Sequence, residues 1–217
     1  MMGWQELWHD PEVRARWEAM PPLPEVVDMA DRLESERRRR VLDIGCGLGR
    51  HTVYLAARGF EVTATDVASS AIEQCTSNLE EAGLTATMVE VEMSDFPWPD
   101  AHFAGAVASN VIHHTDLGTL KAIISSITRV LSDGGYFVWV TPTPRHFACG
   151  RGRELEPMTW VDFDTSDGHL PHHYSTEEEV RELLGDYDVL SLGEHEYREG
   201  ENSRWHWRVL ARKRGGP

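Results

Sequence analysis

Short apolar runs alternate with amphipathic stretches through the middle of the chain. Residues 41–45 and 61–65 read as strands, with a helix over about 50–58 between them. A second helix is expected over 69–82, starting after Ser69 or Ser70. Residues 86–92 and 103–109 supply a third and a fourth strand. Leu117, Leu120, Ile123, Ile124, Ile127, Val130 and Leu131 recur at helical spacing, so a helix spans about 117–131. Asp133-Gly134-Gly135 reads as a turn into the apolar strand Tyr136-Phe137-Val138-Trp139-Val140. Strands separated by helices at this rhythm form β-α-β units around a parallel sheet, with right-handed crossovers and helices on both faces. Near-continuous rather than alternating apolar strands fit a sheet buried on both sides.

The flanks read differently. Residues 4–33 carry Trp4, Leu7, Trp8, Trp17, Val26, Met29 and Leu33, one or two helices broken at Pro21-Pro22-Leu23-Pro24. Arg37 to Arg40 read as a solvated helix end. Residues 143–174 show little periodicity and hold His146, His169, His172 and His173, the pattern of a lid or substrate loop. Ser175-Thr176-Glu177-Glu178 opens a helix to about 185 as a capping box, and strands near 187–197 and 204–213 follow. The whole, 1–217, is expected to be a single domain: a helical cap (1–40), a cofactor-binding core (41–142), a substrate loop (143–174), and a C-terminal helix with closing strands (175–217).

Composition narrows the partners. The 217 residues carry 36 acidic against 21 basic side chains, a net charge of −15. That field repels nucleic acid and anionic membranes. Three scattered cysteines, Cys46, Cys75 and Cys149, form no Cys-x-x-Cys pair, so a reducing cytoplasm is expected and a disulfide framework is not. Neither a signal pattern nor a run of about 18 apolar residues is present, so no membrane association is expected.

The candidate chemistry starts where the first strand ends, in Val41-Leu42-Asp43-Ile44-Gly45-Cys46-Gly47-Leu48-Gly49. Glycines at a strand-to-helix junction let backbone turn tightly and approach a ligand. The following helix start offers unpaired N–H groups. The spacing Gly-x-Gly-x-Gly differs from the Gly-x-Gly-x-x-Gly that cradles a pyrophosphate, which speaks against a nicotinamide dehydrogenase. Asp66 ends the second strand, placed to accept both hydroxyls of a ribose and to repel a 2′-phosphate. Asp95, in Met93-Ser94-Asp95-Phe96, is placed to accept from an exocyclic amine, with Phe96 to cover the ring.

In these stations the chain resembles the class I S-adenosylmethionine-dependent methyltransferases over about residues 40–142. The glycine loop, Asp66 with Val67, Ser94-Asp95-Phe96, and Leu131-Ser132-Asp133-Gly134-Gly135 before the fifth strand occur in the family's order. The resemblance implies a Rossmann-like, doubly wound, mostly parallel seven-stranded sheet with an antiparallel last strand. It implies S-adenosylmethionine as cofactor and S-adenosylhomocysteine as product. Backbone at Gly45, Cys46 and Gly47 would hold the methionine part, with Gly49 in the same cofactor loop. Asp43 would hold the amino group of that part, and Asp66, Val67, Ser94, Asp95 and Phe96 the nucleoside. The family's acidic residue near the start of the fourth strand is missing here. Ser109 and Asn110 are therefore crevice residues by position.

A sulfonium methyl is already activated, so such an enzyme mainly aligns the acceptor and excludes water, and needs a base only for a protonated nucleophile. No catalytic residue is assigned. His113 and His114, just past the fourth strand, are the candidates, and His173, Tyr174, Trp4 and Trp8 are candidate substrate contacts. The spacing His169-Leu170-Pro171-His172-His173 matches no ligand pattern, so no metal is expected. The expected activity is methyl transfer to a small molecule. Size and layout are similar to the tellurite-resistance and thiopurine types. The alternatives are methylation of a tRNA wobble nucleoside, suggested by Val111-Ile112-His113-His114, and a protein that binds the cofactor without turnover. Acceptor, attacked atom and oligomeric state are not encoded in these motifs.

Overall fold

The computed structural model describes residues 20–94, 96–163 and 170–216. Trp4, Trp8, Trp17, Asp95 and His169 lie outside the described residues, as do most of the expected N-terminal helices.

After α1 (Pro24–Ser35), strands and helices alternate: β1 (Arg40–Ile44), α2 (Arg50–Ala57), β2 (Glu61–Asp66), α3 (Ser69–Glu81), β3 (Thr87–Glu90), β4 (Phe103–Ser109), α4 (Leu117–Val130) and β5 (Leu131–Pro142). Three short strands, β6 (Arg153–Glu156), β7 (Thr159–Val161) and β8 (His172–His173), precede α5 (Glu177–Leu183). β9 (Tyr187–Glu199) and β10 (Asn202–Lys213) complete the described chain. The seven-stranded sheet has the order β3-β2-β1-β4-β5-β10-β9. β1 to β5 pair in parallel, and β10 runs antiparallel to both β5 and β9. The expected sheet, with its last strand reversed, is the one observed.

Each strand face has its own core. Leu42, Ile44, Phe137 and Trp139 point toward α4 and α5, meeting Leu120, Ile123, Ile127 and Val180. Val41, Val62, Val138 and Val140 point the other way, meeting Met29 and Leu33 of α1, Leu55 of α2 and Leu79 of α3. The alternation within continuous apolar strands buries both faces, as parallel sheets require. Gly105 lets α1 approach, since a Cβ there would lie 2.9 Å from the Met29 sulfur.

Two expectations change. Asp133-Gly134-Gly135 does not end one element and start another. β5 runs through it, and the ladder to β4 shifts register between Phe103 and Gly105. Arg38 holds this point by donating to the Gly134 carbonyl at 2.9 Å, while Arg37, Arg39 and Arg40 of the basic run are exposed, as expected. The expected unstructured stretch 143–174 contains the three-stranded sheet β6-β7-β8. That sheet is anchored on both sides: Glu156 Oε1 accepts the Leu117 N–H at 2.7 Å, at the start of α4, and the Ser175 N–H donates to the Pro142 carbonyl at 3.0 Å, at the end of β5. Among the described residues, no helix is long and apolar enough to cross a membrane.

Candidate functional site

Strand order reverses between β1 and β4, with β1 leading on to β2 and β3, and β4 to β5. Ligands of doubly wound sheets bind beyond the carboxyl ends of the strands at such a point. The loop after β1 and the loop after β4 flank it and touch. Gly45 has φ +62, and a Cβ there would sit 2.2 Å from Val111 Cγ2. The spacing of glycines in the sequence therefore marks a place where two loops need the room of a side chain.

The glycine loop is pinned from three directions. The Cys46 N–H donates to the Thr65 carbonyl of β2 at 2.9 Å. The Gly47 N–H donates to Asp66 Oδ2 at 3.0 Å, and the Asn78 amide of α3 donates to the Leu48 carbonyl at 2.9 Å. Gly49, with φ +86, precedes α2, and a Cβ on it would meet the Cys75 sulfur at 2.4 Å. The Cys46 thiol lies against Cys75, and that contact together with burial raises its pKa well above the ordinary thiol value. Cys46 thus joins the site through its backbone, with its side chain turned to the protein.

Asp66 is half-buried. Its Oδ1 accepts the Ala68 N–H at 3.0 Å while Oδ2 accepts that of Gly47. Each carboxylate oxygen has a second lone pair, so both can still accept a hydroxyl. Burial raises the Asp66 pKa, and the backbone donors of Ala68 and Gly47 offset this only in part. A carboxylate short of donors is the partner a vicinal diol requires. Val67 beside it is 37% exposed.

Asp43 lies deeper, 2% exposed, and accepts the Thr52 hydroxyl at 2.6 Å. Burial pushes its carboxyl from the ordinary 3.8 up to about 6, against the pull of Thr52 and of the Arg50 charge, with Asp66 adding to the rise. Between pH 3.8 and 6 the folded chain therefore binds more protons than the unfolded one. The stability this group contributes is fully present below 3.8 and is lost as pH rises through about 6. Asp43→Asn removes the ionisation, and two pKa units correspond to about 3 kcal/mol as an upper bound. Thermal melts should show the variant more stable than the parent at pH 8, with the gain shrinking toward pH 5. A gain that does not vary with pH would assign it to something other than the buried charge.

At the end of β4, Ser109 is contacted by the Arg50 guanidinium at 3.4 Å. Asn110 has φ +56, a left-handed conformation for a non-glycine residue. Its side-chain oxygen is buried without a hydrogen-bond partner. Backbone strain and an unpaired buried acceptor together mark a site prepared for a donor from outside the chain. His113 follows, 5% exposed, and burial drives its pKa well below the ordinary imidazole value, so it is neutral at pH 7. His114 is half-buried, with its ring centroid 4.0 Å from that of His113. His172, on β8, joins them, its Nε2 3.1 Å from His114 Nδ1. His206 lies close enough to depress the His113 pKa, as does His146, and its ring is 5.2 Å from that of His146. Burial takes the His206 pKa down to about 3.

Asp43, Gly45, Cys46, Gly47, Gly49, Asp66, Ser109 and Asn110 thus come together around one crevice, with His113 and His114 beyond it. Others do not. Phe96, expected to cover a ring, is 3% exposed and packs into the core beside Trp98 at 5.9 Å between centroids. Ser94 is exposed, four residues past the end of β3. His173, expected at the substrate, is fully buried, with Nδ1 2.8 Å from the Thr159 hydroxyl and Nε2 2.7 Å from Glu179. Both nitrogens are committed, so it ties β7 to α5 and presents nothing to a ligand. Tyr174 is 3% exposed and packs edge-on against Trp160. Sequence reading missed Thr52 and Arg50, and it named Val111 and His172 without assigning either to the site. Thr52 and Arg50 open the helix behind the glycine loop, where a hydroxyl and a cation beside a buried carboxylate were the available signal.

The residues fit a nucleoside carrying an amino-acid tail. Asp66 offers the diol acceptors, Asp43 a buried negative charge, and Asn110 an unpaired acceptor, around a loop that glycine keeps open. Residues 41–135 match the family model of a methyltransferase domain. An uncharacterized methyltransferase of Synechocystis is 34% identical over 102 residues, covering 47% of this chain and 46% of the relative. The 2-heptyl-1-hydroxyquinolin-4(1H)-one methyltransferase of Mycobacteroides abscessus is 28% identical over 126 residues, covering 58% and 55%. The chain therefore spans about half the length of these relatives. The crystal structure of a SAM-dependent methyltransferase from Methanosarcina mazei superposes with a TM-score of 0.74 at 21% identity, covering 91% of this chain and all of that one.

Proposed function

We propose that this chain, whose residues 41–135 match a methyltransferase domain, is a class I methyltransferase that transfers a methyl group from S-adenosylmethionine to a small-molecule acceptor. The observation that carries this is the Asp66 carboxylate at the end of β2, fixed by the Gly47 N–H of the loop after β1, beside the point where strand order reverses. Asp66 accepts the ribose hydroxyls, and Asp43 sets its charge under the ammonium of the methionine tail. Bound there, the cofactor supplies an electrophilic methyl on a sulfonium sulfur. The chain aligns an acceptor with it, and the β6-β7-β8 sheet shields the far side from water, as catalysis by orientation requires. Burial keeps His113 neutral and makes it a poor base, whereas its half-buried neighbour His114 stands on the acceptor side, where an imidazole can take a proton.

The acceptor is a small molecule. The net charge of −15 disfavours an RNA backbone, and the Mycobacteroides relative is named for a small aromatic compound. The test offers methyl-labelled S-adenosylmethionine to the purified chain, with a panel of small hydroxylated compounds in one arm and bulk tRNA in the other. Label in the small-molecule arm is expected. Label confined to tRNA overturns the acceptor class, and failure to bind either S-adenosylmethionine or S-adenosylhomocysteine by calorimetry overturns the activity.

A further inference from the structure

The loop after β4 and the distant strand β8 bring three imidazoles together. One ring nitrogen from each of His113, His114 and His172 lies within 4.8 Å of the other two. His114 Nδ1 and His172 Nε2 are 3.1 Å apart. Two nitrogens bound to one zinc-like ion at about 2.0–2.1 Å in tetrahedral geometry stand about 3.3 Å apart, so this pair already has the separation of neighbouring ligands.

The proton position on His172 agrees, and the His114 Nδ1 hydrogen that His172 Nε2 accepts shifts to His114 Nε2 when an ion takes its place. His172 Nδ1 is 2.9 Å from the Leu170 carbonyl oxygen, which only accepts, so Nδ1 carries the hydrogen and Nε2 turns its lone pair into the cluster. An imidazole whose far nitrogen donates to a backbone carbonyl is the usual outer arrangement of a metal-bound histidine. His113, 5% exposed, has a buried Nδ1 with no hydrogen-bond partner. Leaving a ring nitrogen dry and unpaired is unfavourable, so the His113 imidazole is not fully satisfied within the protein. The backbone holds the arrangement, since the His173 N–H donates to the His113 carbonyl at 2.9 Å and clamps β8 onto the loop.

We propose that His113, His114 and His172 form a three-imidazole site for a divalent transition-metal ion. Three neutral nitrogen donors suit zinc, iron, cobalt or nickel and not magnesium or calcium, which take oxygen. Three protein ligands leave a coordination position open. On the methyl-transfer reading above, which this role alone depends on, that position receives the acceptor. A hydroxyl bound to the ion releases its proton to solvent. The resulting oxygen anion bonds to the methyl carbon as the carbon–sulfur bond breaks, and the bonding pair goes to sulfur.

The test uses the untagged chain, stripped of metal by chelator and titrated with Co²⁺. Visible d–d absorption and calorimetry are read together, and S-adenosylhomocysteine binding is measured on the same samples. One Co²⁺ per chain with a low-coordinate spectrum is expected. His114→Ala and His172→Ala, both folded by circular dichroism, should each lose at least about tenfold in affinity. His102→Ala, at the opposite end of β4, should leave the titration unchanged. No stoichiometric binding, or binding untouched by both variants, overturns the site. If S-adenosylhomocysteine still binds in that case, the methyltransferase reading stands. Stoichiometric cobalt without S-adenosylhomocysteine binding would keep the site and remove the acceptor role assigned to it.

Discussion

Asp66→Ala is expected to weaken S-adenosylhomocysteine binding by about 100-fold or more while leaving the fold intact. Two charge-assisted hydrogen bonds to a diol contribute about 1.5–3 kcal/mol each, and every 1.4 kcal/mol is tenfold in affinity. The variant also frees the Gly47 and Ala68 N–H groups that Asp66 now accepts, so the glycine loop loses its brace to β2. Thermal stability should change far less. Burial raises the Asp66 pKa, so the ionised carboxylate is disfavoured in the fold, and removing it offsets the two lost backbone bonds. Calorimetric titration paired with a melt of the unliganded chain separates the two effects. A dissociation constant within threefold of the parent would remove Asp66 from the nucleoside site.

Gly45→Ala attacks the fold itself. The residue must take φ +62, which for an L side chain is unfavourable by about 1–2 kcal/mol. The new methyl would lie 2.2 Å from Val111 Cγ2 and 2.8 Å from Val111 Cβ. Overpacking of that kind adds about 1–3 kcal/mol. Together these predict a loss of about 2–5 kcal/mol, or a fall of roughly 4–20 °C in melting temperature for a chain of this size. The two contributions can be told apart. Val111→Ala removes the Cγ atoms but cannot relax the backbone, so the double variant should recover part of the loss and no more. Full recovery would show that the left-handed conformation matters little. No recovery would show that the loops move apart instead of clashing.

The parallel core was legible because its physics is local. α4 shows a clean apolar stripe, β4 and β5 are apolar on both faces, and a glycine-rich junction announces a loop that needs positive φ. What was not legible depends on pairing across long separations. β6, β7 and β8 are two to four residues each, with polar strands such as Arg153-Glu154-Leu155-Glu156, too short to show a period. The meeting of His172 with His114 spans 58 positions and follows from the backbone clamp at His173. His173 and Tyr174 read as polar groups in a loop, yet both are interior, because Thr159 and Glu179 satisfy the imidazole that the sequence displays as free. Phe96 follows a predicted ligand position but is drawn inward by Trp98 and Phe103, and the larger apolar surface decides its direction. The Glu179 of the expected capping region illustrates the same competition. Thr176 accepts the Glu179 N–H as a helix cap, while the Glu179 carboxylate is spent on His173 instead of returning to the cap.

β10 comes after β9 in the chain but lies between β5 and β9 in the sheet. β9 therefore has no seat of its own. Every ladder hydrogen bond that holds its thirteen residues to the sheet runs through β10. During synthesis β9 must wait beside an open edge until β10 arrives, because the strand that joins it to β5 is the later one to emerge. A chain cut between the two would lose both at once and leave the ladder groups of β5 as a bare edge, a template for another molecule.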